Sequence, residues 1–347
     1  MINCNAFYIS PDLRIVRQEC WFGMDKTVGS GLRKKFNDEL RNFICDRPTY
    51  IFHQIGGPQF YTNFKHWYLN RLVSDADQLG IPHERIIIEC PEPFIKNFVE
   101  SNSDLGAIVL NHNSLLDPRL YITSSQKNFD AIVNSRPVLF KNLHLSNGVE
   151  NLAFIKGAGS EYDHTHREYS FINPVANLGP KKVSELCAQS HCGLILSYQE
   201  GACYSSTEYL LSGIPVVSMK SLGGRDIWYD DYNSIVIDPT DKTDAELTDE
   251  VSSAVSIMKE KNLDPEIIRT NAIKLQQEHL ATLKNKLQSI FDKHNEEVDA
   301  AELFERQFFQ KFFYTPWDGP LQLSDIKRQL ADVEYTHIRE RQKAYGY

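Results

Sequence analysis

Short apolar runs rich in β-branched and aromatic residues recur along the first two thirds of the chain, each bounded by polar or turn residues. Three of them, Thr49 to His53, Arg85 to Glu89 and Ala107 to Asn111, lie within residues 1–125 and alternate with helical patterns. Runs of this length and composition predict strands buried in a parallel sheet, and so a small α/β domain. A second series starts at Asp130 (DAIVN) and continues at Leu152 (LAFI), Gly193 (GLILS), Pro215 (PVVSM) and Ser234 (SIVID). Helical patterns separate most of these, among them Lys181 to Ser190 and Ser205 to Leu211, the latter stopped by Gly213 and Pro215. Strands so spaced imply right-handed crossovers with helices on both sheet faces, a doubly wound domain.

Beyond Asp238 the pattern turns helical and polar to about residue 313. Phe304, Phe308, Phe309, Phe312 and Phe313 there form an aromatic stripe at helical spacing, favouring a core or domain-docking contact over a membrane-surface helix. The division expected is a first α/β domain over 1–125, a second over 126–290 and helices over 291–347 that pack back on the first.

Length and charge narrow the function classes. A chain of 347 residues suits two medium domains. Its net charge of −9, with no stripe of Lys and Arg, argues against nucleic acid as a partner. Seven scattered cysteines without a CxxC pair fit reduced thiols. The first residues lack the features of a signal peptide, and no apolar run approaches a bilayer span. The expectation is a cytoplasmic protein, with peripheral attachment to the inner face of a membrane left open.

The segment from Leu196 to Val217 carries the most chemistry. It sets Glu200 and Glu208 with seven residues between them around a turn at the carboxyl end of a strand, where α/β sheets receive ligands. Carboxylates accept paired hydrogen bonds from vicinal hydroxyls, so Glu200 suits a sugar and Glu208 a ribose. Backbone N–H groups around Gly201, Ala202 and Cys203, at a helix start, suit a diphosphate. Asp117, Arg119, Asp163, His164, His166 and Arg167 form metal or hydrolase constellations on paper, but a solvated loop is the better reading of the DHTHRE stretch.

Taken together, Ser197, Glu200, Gly201, Glu208, Leu210, Gly213, Pro215, Val216 and Val217 resemble the EX7E signature of retaining GT-B glycosyltransferases of the family 4 type. Arg136 and Lys141 resemble that family's R-x4-K pair, and Gly223 and Gly224 its glycine-glycine turn, although those two glycines serve a tight turn equally well. Asn142 departs from the pattern, standing where many members have glycine. The resemblance covers about residues 130–240.

It implies a GT-B fold of two Rossmann-like doubly wound domains facing a cleft, with a C-terminal helical segment. It also implies sugar transfer from a nucleotide-sugar donor to a carbohydrate, lipid-linked or small-molecule acceptor with retention of configuration, and no metal or other cofactor. Arg136, Lys141 and the backbone of Gly201, Ala202 and Cys203 would then meet the diphosphate, Glu208 the ribose and Glu200 the sugar, with Gly223 and Gly224 beside the donor. A first-domain histidine, His53 or His112, would face the donor sugar. A sugar-nucleotide epimerase, a phosphorylase and a non-catalytic binding descendant of the same fold stay open.

Overall fold

The structure, a computed structural model, describes residues 4–10, 12–18, 42, 45–55, 65–156, 172–176, 178–198, 200, 201 and 203–307. Gly56, Gly57, Asp163, His164, His166, Arg167, Ala202 and the phenylalanines beyond Phe304 lie outside them. The chain forms two compact units.

The first unit carries the five-stranded sheet β1 (Cys4–Ile9), β2 (Arg14–Gln18), β3 (Thr49–Gln54), β4 (Ile86–Cys90) and β5 (Gly106–Val109), in that spatial order. Only β1 runs antiparallel to its neighbour. Successive strand side chains point to opposite faces, so the sheet feeds two cores. Ile51, Ile86 and Ile88 pack against Leu69, Leu72 and Ala76 of α1 (Lys65–Leu79) and Ile95 and Val99 of α2 (Pro93–Asn102). Their neighbours Phe52 and Ile87 face the other way.

The second unit carries a six-stranded sheet: β6 (Phe129–Ser135), β7 (Leu152–Lys156), β8 (Ile172–Ala176), β9 (Ser190–Ile195), β10 (Val216–Met219) and β11 (Ser234–Ile237). All its pairings are parallel and the order is β11-β10-β9-β6-β7-β8. On one face Val133, Leu194 and Val217 meet Leu247, Val251 and Val255 of α5 (Asp244–Lys261). On the other, Ile132, Ile195 and Val216 meet Val183 and Cys187 of α3 (Pro180–Ala188) and Tyr209 to Leu211 of α4 (Tyr204–Leu211). From the centre the chain winds first outward through β7 and β8, then returns to start β9 on the other side of β6. The reversal opens a crevice at the carboxyl ends of β6 and β9, the usual ligand position in such sheets.

The units meet in sequence at Leu115/Leu116 and Glu278/His279, against an expected division at 125/126 and 290/291. Packing explains both differences. Leu116 and Tyr121 are buried in the second unit's core. The long helix α6 (Pro265–Lys293) gives Ile268 and Ala272 to that core, then Leu280, Leu283, Leu287 and Ile290 to the first unit's second face. Leu303 and Phe304 of α7 (Ala300–Gln307) complete that face, so the first aromatic of the predicted stripe is core.

Candidate functional site

Two loops meet at the crevice. The first follows β6 and holds Arg136 and Lys141; the second follows β9 and runs from Ser197 through Glu200, Gly201 and Cys203 into α4. Lys141 Nζ donates to Glu200 Oε1, and the Ser197 hydroxyl donates to Glu200 Oε2 at 2.5 Å. These groups, with Asn134, Leu196 and Cys203, line a small hollow of about 10 Å3. Burial pushes the Glu200 pKa up, but the ammonium of Lys141, helped by Ser197 and the charge of Arg225, outweighs it and holds the carboxyl below its ordinary value. Glu200 is therefore ionised at neutral pH.

The backbone around this pair is shaped for it. Asn142 takes a left-handed conformation (φ 48°) and donates its side-chain amide to the Leu196 carbonyl at 3.1 Å. Asparagine is among the few residues that tolerate this region, which accounts for its standing in place of a glycine. Gly223 (φ +139°) lies flat on the Glu200 peptide, where an added Cβ would come within 1.6 Å of the Glu200 carbonyl oxygen. Gly224 follows with φ 84°. The pair thus makes a tight turn and at the same time presses on the Glu200 loop.

Arg225, next in sequence, is fully buried and was not singled out by the motif. Its guanidinium donates to the Ser197 carbonyl and hydroxyl and to the Met219 carbonyl, and Nη1 lies 3.9 Å from Glu200 Oε2. Glu200 is therefore flanked by two cations. The only sign of this in the sequence is a basic residue directly after a glycine pair.

Glu208 lies on α4 and is 1% exposed. Asn134 Nδ2 donates to its Oε2 at 2.8 Å and the Tyr121 hydroxyl to its Oε1 at 3.2 Å. Asn134 is held in turn by its N–H donating to the Tyr209 hydroxyl at 2.7 Å. Tyr209 can lie there because Gly193 has no side chain: a Cβ on Gly193 would fall 2.0 Å from the Tyr209 ring. Arg136 is exposed, and its side chain has no hydrogen-bond or ion-pair partner among the described residues. Cys203 adopts φ 53° at the start of α4, and burial lifts its thiol to about 11, leaving it protonated. Cys45, Cys90, Cys187, Cys192 and Cys203 form no disulfide.

The two candidate histidines belong to the first unit. His53, at the end of β3, is fully buried and hydrogen-bonds through Nε2 to the Tyr68 hydroxyl at 3.1 Å. His112 opens a short helical turn after β5 and is partly buried. Burial, then the charge of Arg17, lowers each to about 3, so both are neutral at neutral pH. Arg17 is itself bound by both oxygens of buried Glu89, at 2.6–2.9 Å, and by Gln54. Asp117 is used locally: it accepts from the Arg119 N–H and pairs with its guanidinium.

Among the described residues no group of three or more His, Cys, Asp and Glu side chains is arranged to hold a metal ion. No helix among them is long and apolar enough to cross a membrane.

No family model matches the sequence, and no curated protein matches it. Solved structures do. The pneumococcal O-GlcNAc transferase GtfA, in complex with UDP and GlcNAc, is similar at a TM-score of 0.52 and 13% identity, over 78% of this chain and 56% of GtfA. TarM, known from S. aureus, is similar at a TM-score of 0.51 and 14% identity, over 74% of this chain and 52% of TarM. The chain thus spans little more than half the length of either protein. At this identity the likeness shows the fold, a mixed α/β architecture with parallel sheets of the GT-B kind.

Proposed function

We propose that the protein is a glycosyltransferase that moves a sugar from a nucleotide-sugar donor to a carbohydrate, lipid-linked or small-molecule acceptor, with retention of anomeric configuration. One observation carries this reading: a cation and a carboxylate from different loops, Lys141 and Glu200, converge at the sheet's reversal point, near the start of α4. The UDP bound in GtfA, which shares the fold, supports the ligand class.

In this reading Arg136 and Lys141 bind the diphosphate and stabilise the charge it gains as the glycosidic bond breaks. The first N–H groups of α4 add to that field, with Gly201, Ala202 and Cys203 leading into them. Glu200 accepts from sugar hydroxyls and orients the anomeric carbon. Glu208, preset by Asn134 and Tyr121, accepts from the ribose. The departing phosphate oxygen takes the acceptor proton on the face that the donor leaves. A first-unit histidine, His53 or His112, is the residue expected at the donor sugar, and both are neutral. A neutral imidazole there offers a hydrogen bond without adding charge. No resident metal is required, since fixed cations and the helix start do the electrostatic work.

The test is to follow UDP-, GDP- and ADP-sugars by proton NMR in the presence of the protein, with water and a panel of sugars as acceptors. The expected result is slow turnover of one donor, a first-formed product with the donor's anomeric configuration, and loss of turnover in Lys141→Met. An inverted product contradicts retention. No turnover of any donor by the folded protein contradicts the transferase reading.

A further inference from the structure

We propose that Glu200 is the resident counter-ion of Lys141, displaced from it by an incoming nucleoside diphosphate, and that Arg225 is the positioning residue that receives the released carboxylate. This inference rests on the donor-binding reading above and adds how the site is held closed to anions until the donor arrives.

The two basic residues of the R-x4-K pair differ in state. Arg136 is exposed with no side-chain partner among the described residues, whereas Lys141 is committed to Glu200, with only 12% of its side chain exposed. A diphosphate brought against Lys141 Nζ places like charge beside Glu200 Oε1. One ammonium has three donors, but two anions on it repel across a poorly hydrated gap. The carboxylate must therefore turn away or remain at a loss of affinity.

The site already contains the place to turn to. Arg225 lies on the Oε2 side of Glu200, opposite Lys141, and is fully buried, so its charge is weakly screened. Ser197 links the two: its hydroxyl donates to Glu200 Oε2 and accepts from Arg225 Nη1 at 3.1 Å. A small side-chain rotation closes the 3.9 Å gap between Nη1 and Oε2 to a direct bond. Gly223 against the Glu200 carbonyl keeps the peptide still while the side chain moves. Asp226, on Arg225 Nε at 3.4 Å, is the other charged group at this guanidinium, and it is held by the Ser221 N–H. A donor that draws Glu200 from Lys141 leaves Oε2 held by Arg225 and Ser197 and releases Oε1 to accept from the sugar hydroxyls, so diphosphate binding and sugar positioning are coupled.

The experiment is calorimetric titration of UDP, GDP and ADP into the full chain and its variants, with circular dichroism to confirm folding. Glu200→Gln removes the competing charge and keeps the shape. The nucleotide that binds wild type is expected to bind Glu200→Gln about tenfold more tightly, equivalent to about 1.4 kcal/mol. Arg225→Met is expected to weaken that nucleotide, and Arg225→Met with Glu200→Gln to regain the loss, a rescue that a purely structural role for Arg225 would not give. If Arg225→Met does not fold, Arg225→Lys takes its place, since it keeps the charge but loses the fork. Equal or weaker binding by folded Glu200→Gln, while Lys141→Met abolishes binding, overturns this inference and leaves the donor site standing. No nucleotide bound by wild type or by Glu200→Gln overturns the donor site, and the inference with it.

Discussion

Gly223→Ala is the substitution on which the site's backbone makes the firmest demand. The new Cβ would lie 1.6 Å from the Glu200 carbonyl oxygen and 3.2 Å from the Gly201 Cα, so the two segments must part by more than an ångström. Its φ of +139° also lies where L side chains are strained. Strain of this kind costs about 1–3 kcal/mol, and overpacking a tight contact costs about 1–3 kcal/mol more. The expected loss of stability is therefore about 2–6 kcal/mol, a large share of what holds a domain folded. Displacing Glu200 by an ångström should also lower donor turnover roughly a hundredfold. Urea denaturation followed by circular dichroism reads the first effect, and NMR of donor turnover reads the second. An alanine variant with an unchanged unfolding midpoint and unchanged turnover would refute the claim that Gly223 seats the Glu200 loop.

Three further outcomes follow from the packing and the charges. Gly193→Ala drives a methyl into the Tyr209 ring, and is expected to destabilise the chain by about 1–3 kcal/mol and to weaken nucleotide binding through Asn134 and Glu208; unaltered binding would break that chain of contacts. Arg17→Met strands Glu89 in the first unit and should cost about 3–5 kcal/mol in a denaturation series, much of it recovered by Arg17→Met with Glu89→Leu. Acid should unfold the protein through His53 and His112. The folded chain keeps both neutral down to about pH 3, whereas the unfolded chain protonates them below about 6.5, so protons favour the unfolded state. Their contribution is whole above pH 6.5 and declines as pH falls towards 3; stability profiles of His53→Gln should be flatter over that window, and an unchanged slope would contradict the assignment.

The parallel α/β character of both units was legible because buried strands have a plain signature: the runs at Thr49, Arg85, Ala107, Asp130, Leu152, Gly193, Pro215 and Ser234 all fall on strands. The first two strands and β8 were not read. Arg14 and Arg17 on β2 interrupt the apolar pattern, and their reason for being there, Asp46 and Glu89, lies far along the chain. The unit boundaries were blurred for a different reason. The periodicity of α6 runs on unbroken while its apolar residues change from one core to the other, and no residue marks the change. At the site, spacing picks out Lys141 and Glu200 separately. Their pairing depends on β6 and β9 being neighbours, which follows from strand order and not from counting. Arg225, Asn134 and Tyr121 carry no motif; burial and hydrogen bonding identify them.

In the proposed function, the crevice at β6 and β9 binds a nucleotide-sugar donor through Lys141 and Glu208. Calorimetric titration of UDP, GDP and ADP, and of their sugar conjugates, into wild type and Glu208→Gln tests it most directly. Hydrogen bonds to a charged group contribute about 1.5–3 kcal/mol, so the expected result is one saturable nucleotide per chain whose affinity drops between about tenfold and a hundredfold in Glu208→Gln. A folded chain that binds no nucleotide, or one whose binding is indifferent to Glu208→Gln, would contradict it.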